Sequence, residues 1–127
     1  MLKLSKDGVI KMKITNKKKC NEKIILLSII GSLESIKKGV VSIDEIEKFL
    51  FSPHMHHMLK KKGYSKDILQ IIEEGCELED IFSLLPNELD EAIEDIKKES
   101  LLLLKNYDEY NNFFWIEDET YLEDLLN

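Results

Sequence analysis

Between Ile24 and Ile36 the chain reads IILLSIIGSLESI, its most apolar stretch, in which eight of thirteen residues are Ile or Leu. A run this dense must be buried, and its spacing says in what form. Leu26, Ile29, Ile30, Leu33 and Ile36 recur at helical intervals and share one stripe. Ser28, Gly31, Ser32 and Ser35 hold another side. Residues that small admit a close neighbour, so packing on more than one face is expected. The run is too short to cross a bilayer, and Glu34 interrupts it. It is therefore expected to be the central helix, Asn21 to Lys38, of one soluble domain spanning 1–127.

Charge adds the second constraint. Residues 1–62 carry 14 Lys against 6 acids, whereas residues 63–127 carry 4 Lys against 19 acids, for an overall charge of −7. All the basic residues are Lys. Beyond Lys105 no basic residue occurs, while Asp108, Glu109, Glu117, Asp118, Glu119, Glu123 and Asp124 crowd the end. Phosphate would be repelled by that half, which argues against direct nucleic-acid binding. A basic protein is the natural partner. Met1-Leu2-Lys3 leads into polar residues rather than an apolar core, so no secretory leader is read and a cytoplasmic location is expected. Cys20 and Cys76 show no CxxC or Cys/His pattern and are expected as reduced thiols.

Taken in order, Gly8–Thr15 (GVIKMKIT) alternates Ile10, Met12 and Ile14 with Lys11, Lys13 and Thr15, the period of a half-buried strand. After the central helix, Gly39 suits a left-handed stop. Ser42 and Glu45 form a capping box for a second helix with Ile43, Ile46, Phe49 and Leu50 inward. Ser52-Pro53 starts a third helix, which ends at Gly63. A fourth runs from Ser65 to Glu74 with Gly75 as its stop. A fifth, Glu77–Leu85, has Leu78, Ile81, Phe82 and Leu85 inward and stops at Pro86. Asn87 caps a sixth whose inward stripe is Leu89, Ile93, Ile96, Leu103, Leu104 and Tyr107. The segment Asn112–Glu117 (NFFWIE) is β-prone and is expected to pair with the first strand. The fold class is mainly α: five or six helices around a central apolar helix, with a small two-stranded element from the termini.

Chemistry is sparsely written. Glycine-rich phosphate loops, GxSxG and HExxH are missing, and no enzyme activity or cofactor is expected. His54, His56 and His57 cluster with Met55 and Met58, a set that suits copper or zinc by ligand type. No carboxylate or cysteine completes a site nearby, so surface histidines are the favoured reading and no metal site is assigned. The acidic, aromatic end has the strongest claim to a role. Asp108, Glu109, Glu117, Asp118 and Glu119 are the expected steering acids, with Tyr110, Trp115 and Tyr121 as anchors. The bland alternative makes the aromatics core and the acids solubilising.

Across Ile24–Leu104, the blocks GSLESIKKGVVSIDEIEKFLFSP and GCELEDIFSLLP and the helix EAIEDIKKESLLLL resemble a small bacterial family of unknown function. Such small acidic single-domain proteins look like the immunity proteins encoded beside polymorphic or contact-dependent growth-inhibition toxins. The resemblance implies a protein that binds and blocks a toxic nuclease domain in the cytoplasm; it assigns no residue. With the charge pattern, the expectation is a non-enzymatic inhibitor of a basic nuclease domain, monomer or homodimer, without a membrane role. The alternative is a helical regulatory or structural adaptor that binds a host protein through an apolar groove.

Overall fold

The computed structural model describes residues 6–109, with side chains from Lys17 onward. Six α-helices and one 3-10 turn, with no strand, make up the regular structure among the described residues. The fold is mainly α.

The apolar run lies in α1 (Lys6–Lys37), which is far longer than its apolar part. Leu26, Ile29 and Leu33 are fully buried and Ile25 nearly so, while Ile30 and Ile36 are half-buried. Each fully buried aliphatic side chain contributes about 1.5–3 kcal/mol. The expected strand Gly8–Thr15 is helical backbone continuous with α1. A helix already nucleated by a buried segment extends at one hydrogen bond per residue, and Lys and Met are good helix formers. A strand would need a partner, and the proposed one, Asn112–Glu117, lies outside the described residues.

Gly39 ends α1 at φ 72°. Val40 N–H donates to Ser35 O at 3.1 Å and Gly39 N–H to Ile36 O at 3.0 Å, the paired bonds of a Schellman cap. Ser42 Oγ accepts from Glu45 N–H at 3.1 Å and starts the short α2 (Ile43–Glu47). Here the expected inward set changes. Ile46 and Leu50 are buried, but Phe49 is 51% exposed and Phe51 takes its place in the core. The chain turns after one and a half helical turns, so helical spacing stops predicting direction there.

Ser52 Oγ accepts from Met55 N–H at 3.0 Å, and Pro53 occupies the first turn of α3 (Pro53–Lys61). Gly63, at φ 80°, closes it with the same Schellman pair: Tyr64 N–H to Leu59 O and Gly63 N–H to Lys60 O, both 3.1 Å. Ser65 caps α4 (Lys66–Cys76), which buries Ile68, Leu69, Ile71 and Ile72. Gly75 does not stop α4. It lies inside the helix, buried against Phe51.

α5 (Leu78–Leu84) buries Leu78 alone; Phe82 and Leu85, expected inward, are 53% and 52% exposed. Pro86–Glu88 is a 3-10 turn, so Asn87 sits within it rather than capping α6 (Leu89–Leu104). The expected inner stripe of α6 is otherwise seen, with Ile93 and Ile96 buried and Leu89, Leu103, Leu104 and Tyr107 packed against the core.

α6 packs mainly on α1. Lys37 meets Glu94 at one end and Tyr107 meets Glu22 at the other, so the two helices are antiparallel. At the first end Lys97 Nζ bridges Glu34 at 2.8 Å and Glu94 at 2.9 Å. Hydrogen bonds and attraction from Lys97 hold the Glu34 carboxyl below its ordinary range, and those from Lys37 and Lys97 do the same for Glu94. At the second end Glu22, buried in α1, accepts from Ser65 N–H at 3.2 Å and from the Tyr107 hydroxyl. Glu22 thus joins α1 to the start of α4 and the end of α6.

Candidate protein-binding cleft

Of the residues expected to bind a partner, Asp108 and Glu109 are described, and both are exposed. The Asp108 carbonyl accepts from Lys23 Nζ at 2.8 Å, which fixes the point where the chain leaves α6. Tyr110, Trp115, Glu117, Asp118, Glu119 and Tyr121 lie outside the described residues. Tyr107, expected on the inward stripe of the sixth helix, faces the core and is bonded to Glu22.

The histidines are spread rather than gathered. His56 Nε2 lies 3.1 Å from Glu73 Oε1 and links α3 to α4, whereas His54 and His57 are exposed. Among the described residues no group of three His, Cys, Asp or Glu side chains is placed to hold a metal ion. Both cysteines are free thiols, Cys20 buried and Cys76 half-buried. Burial and the carboxylates of Glu47, Glu73 and Glu77 push the Cys76 thiol up, which keeps it protonated and poorly nucleophilic.

The distinctive feature is a cleft that helical spacing hid. Where α1 ends, the Gly39–Ile43 turn stands beside α5 and the start of α6. Between them opens a cleft of about 430 Å³, lined by Ile36, Val40, Val41, Ile43, Phe82 and Leu89, with Asp44 and Glu79 on its wall. Val40 is 74% exposed and Phe82 53%. Leu84 and Leu85 extend the exposed apolar surface along the end of α5. Apolar surface held open to water beside a cleft is the usual mark of a binding site.

Its electrostatic setting is acidic. Between Lys66 and Lys97 the chain holds eleven Asp and Glu residues and no basic one. Asp80, Glu88, Asp90 and Glu91 in this stretch are exposed. The lysines near the cleft already face carboxylates: Lys48 lies 3.0 Å from Asp44, Lys38 lies 3.9 Å from Glu34, and Lys37 meets Glu94. Asp90 and Glu91 lie in the first turn of α6, where the helix dipole favours negative charge whether or not a partner binds. The exposure of Phe82, Leu84 and Leu85 beside these acids is what makes the region a candidate site. Among the described residues no helix is long and apolar enough to cross a membrane.

Comparison with curated proteins finds no match, and comparison with solved structures finds none either. Residues 16–117 match a family described as proteins of unknown function, DUF3969, and the chain belongs to that family.

Proposed function

We propose that this protein is a non-enzymatic inhibitor of the immunity type, which binds and neutralises a basic protein toxin, a nuclease domain being the kind its charge suits. The observation that carries the reading is the apolar cleft between the end of α1 and α5, set in an acidic surface. A nuclease groove presents cations to phosphate, and an acidic surface mimics that charge. Asp80, Glu88, Asp90 and Glu91, with Asp108, Glu109, Glu117, Asp118 and Glu119 near the end of the chain, supply the steering field. Val40 and Phe82 serve as anchors, since a few desolvated contacts carry most of the affinity of such complexes.

The test is co-production with the product of the adjacent gene in a host that this product harms. Restored growth, with one-to-one recovery of the two proteins and release by salt, supports the reading. Unrelieved toxicity, or a neighbour that is neither toxic nor bound, removes it. The alternative, an adaptor for a host protein, uses the same apolar cleft but predicts binding that survives high salt.

A further inference from the structure

A second apolar groove lies farther back along α1, and its charge setting is reversed. It runs between α1, the α2–α3 connection and α3, with a volume of about 210 Å³, and Ile24, Ser28, Phe49, Met55, Met58 and Tyr64 line it. Phe49 is 51% exposed, and Leu27, on the outer face of α1, is 52% exposed. Lysines rather than acids stand beside this groove: Lys62 on its wall, and Lys60 and Lys61 exposed in the last turn of α3. Methionines on two of its positions suit an aromatic occupant, because thioethers adapt their shape to rings.

We propose that this groove is occupied by the chain's own segment Asn112–Glu117, NFFWIE. Three observations support that occupant. The exit point is near: Asp108 is bonded to Lys23, and Ile24 is the next residue of α1, about 100° around the helix. Residues 109–113 reach up to about 17 Å when extended, enough to cross a helix about 10–12 Å wide. The charge is complementary: Glu117, Asp118 and Glu119 follow the aromatics directly and would meet Lys60 and Lys61. The same segment has no place in the first cleft, whose acids would repel it. Finally, the family match continues past α6 through residue 117 and stops there, taking in the aromatic segment as part of the domain.

This inference does not rest on the toxin reading, but it narrows it. It assigns Trp115 to the fold rather than to a partner, turns Glu117, Asp118 and Glu119 toward Lys60 and Lys61, and leaves steering to Asp80, Glu88, Asp90, Glu91, Asp108 and Glu109.

Trp115 is the single tryptophan of the chain, so the intact protein reports on itself. Its emission should be blue-shifted, and its acrylamide quenching several-fold weaker than in the urea-unfolded chain. Phe49→Glu, at a half-exposed position, and Met58→Glu should each shift the emission red and raise quenching while helical circular dichroism is kept. Lys60→Glu with Lys61→Glu should do the same at low salt. Leu102→Glu, on the exposed face of α6, should change nothing. Tryptophan as quenchable as in the unfolded chain overturns the proposal. So does a shielded tryptophan that ignores Phe49→Glu, whose position leaves the core intact even if Met58→Glu fails to fold.

Discussion

The ring of Phe51 occupies the space where a side chain on residue 75 would begin: a Cβ on Gly75 would lie 2.3 Å from Phe51 Cδ1. Phe51 is 1% exposed and has nowhere to retreat. Gly75 is therefore an opening in α4 shaped for one ring, and this contact locks the α2–α3 connection to the second half of the domain.

Gly75→Ala should for this reason destabilise the protein. Alanine would favour the helix by about 1 kcal/mol, but overpacking a filled core site costs about 1–3 kcal/mol and occasionally more. Urea unfolding of Gly75→Ala, Phe51→Leu and the double variant checks it. The double variant should be more stable than the sum of the two losses allows, because the smaller residue relieves the clash. A Gly75→Ala variant as stable as the parent would show that α4 and the Phe51 segment are not in contact.

Glu22→Ala should cost about 1–3 kcal/mol, the penalty for stranding buried hydrogen-bond partners. The substitution leaves Ser65 N–H and the Tyr107 hydroxyl without the acceptor that joins three elements. Glu22→Gln keeps an oxygen in place and should lose less. Thermal melts of the two variants, compared with the parent, give the order directly.

Stability should fall as pH rises from about 4.5 to about 7, through Glu74. Partial burial, and then the hydrogen bond and repulsion from Glu99, push its carboxyl up from 4.5 to about 7. In that window the folded chain holds a proton that the unfolded chain has released, so raising the pH favours unfolding. The contribution is fully present below the unfolded value and gone above the folded one. Glu74 is half-buried and still reached by water, so the effect is smaller than the shift alone implies. Glu74→Gln should flatten this limb and raise stability above neutrality, as seen in melts at about pH 5 and about pH 8. A parent whose stability rises steadily across this window through Glu74 would contradict the geometry.

At the cleft, Val40→Asp and Phe82→Ser should leave the melting temperature nearly unchanged, because both side chains already face water. Each should weaken binding to the recovered basic partner by about 2 kcal/mol or more if it is an anchor. Reversing Asp80, Glu88 and Asp90 to Lys should act differently, slowing association by about tenfold or more at low salt with little change in dissociation. Surface-resonance kinetics at two salt concentrations separate the two effects. Equal association rates for parent and triple variant would take the steering role away from these acids.

Local chemistry made much of this protein legible in its sequence. The stripe Leu26–Ile29–Leu33, the Ser42 and Ser52 caps, the left-handed Gly39 and Gly63, and the break at Pro86 each depend on neighbours within a turn, and the structure has them where the residues put them. The misreadings arose where distant parts of the chain decide. Period-two alternation at Gly8–Thr15 was outweighed by the helix already running behind it. Gly75 looked like a stop until Phe51, 24 positions earlier, gave it a packing role. Phe82 and Leu85 kept helical spacing yet face out, because α5 is so short that only Leu78 reaches the core. Sequence alone determined that this is a helical domain with a lysine-rich half and an acid-rich half. Which apolar residues stay exposed, and beside which charges, was decided by tertiary packing, since a side chain is buried only if another element arrives to cover it.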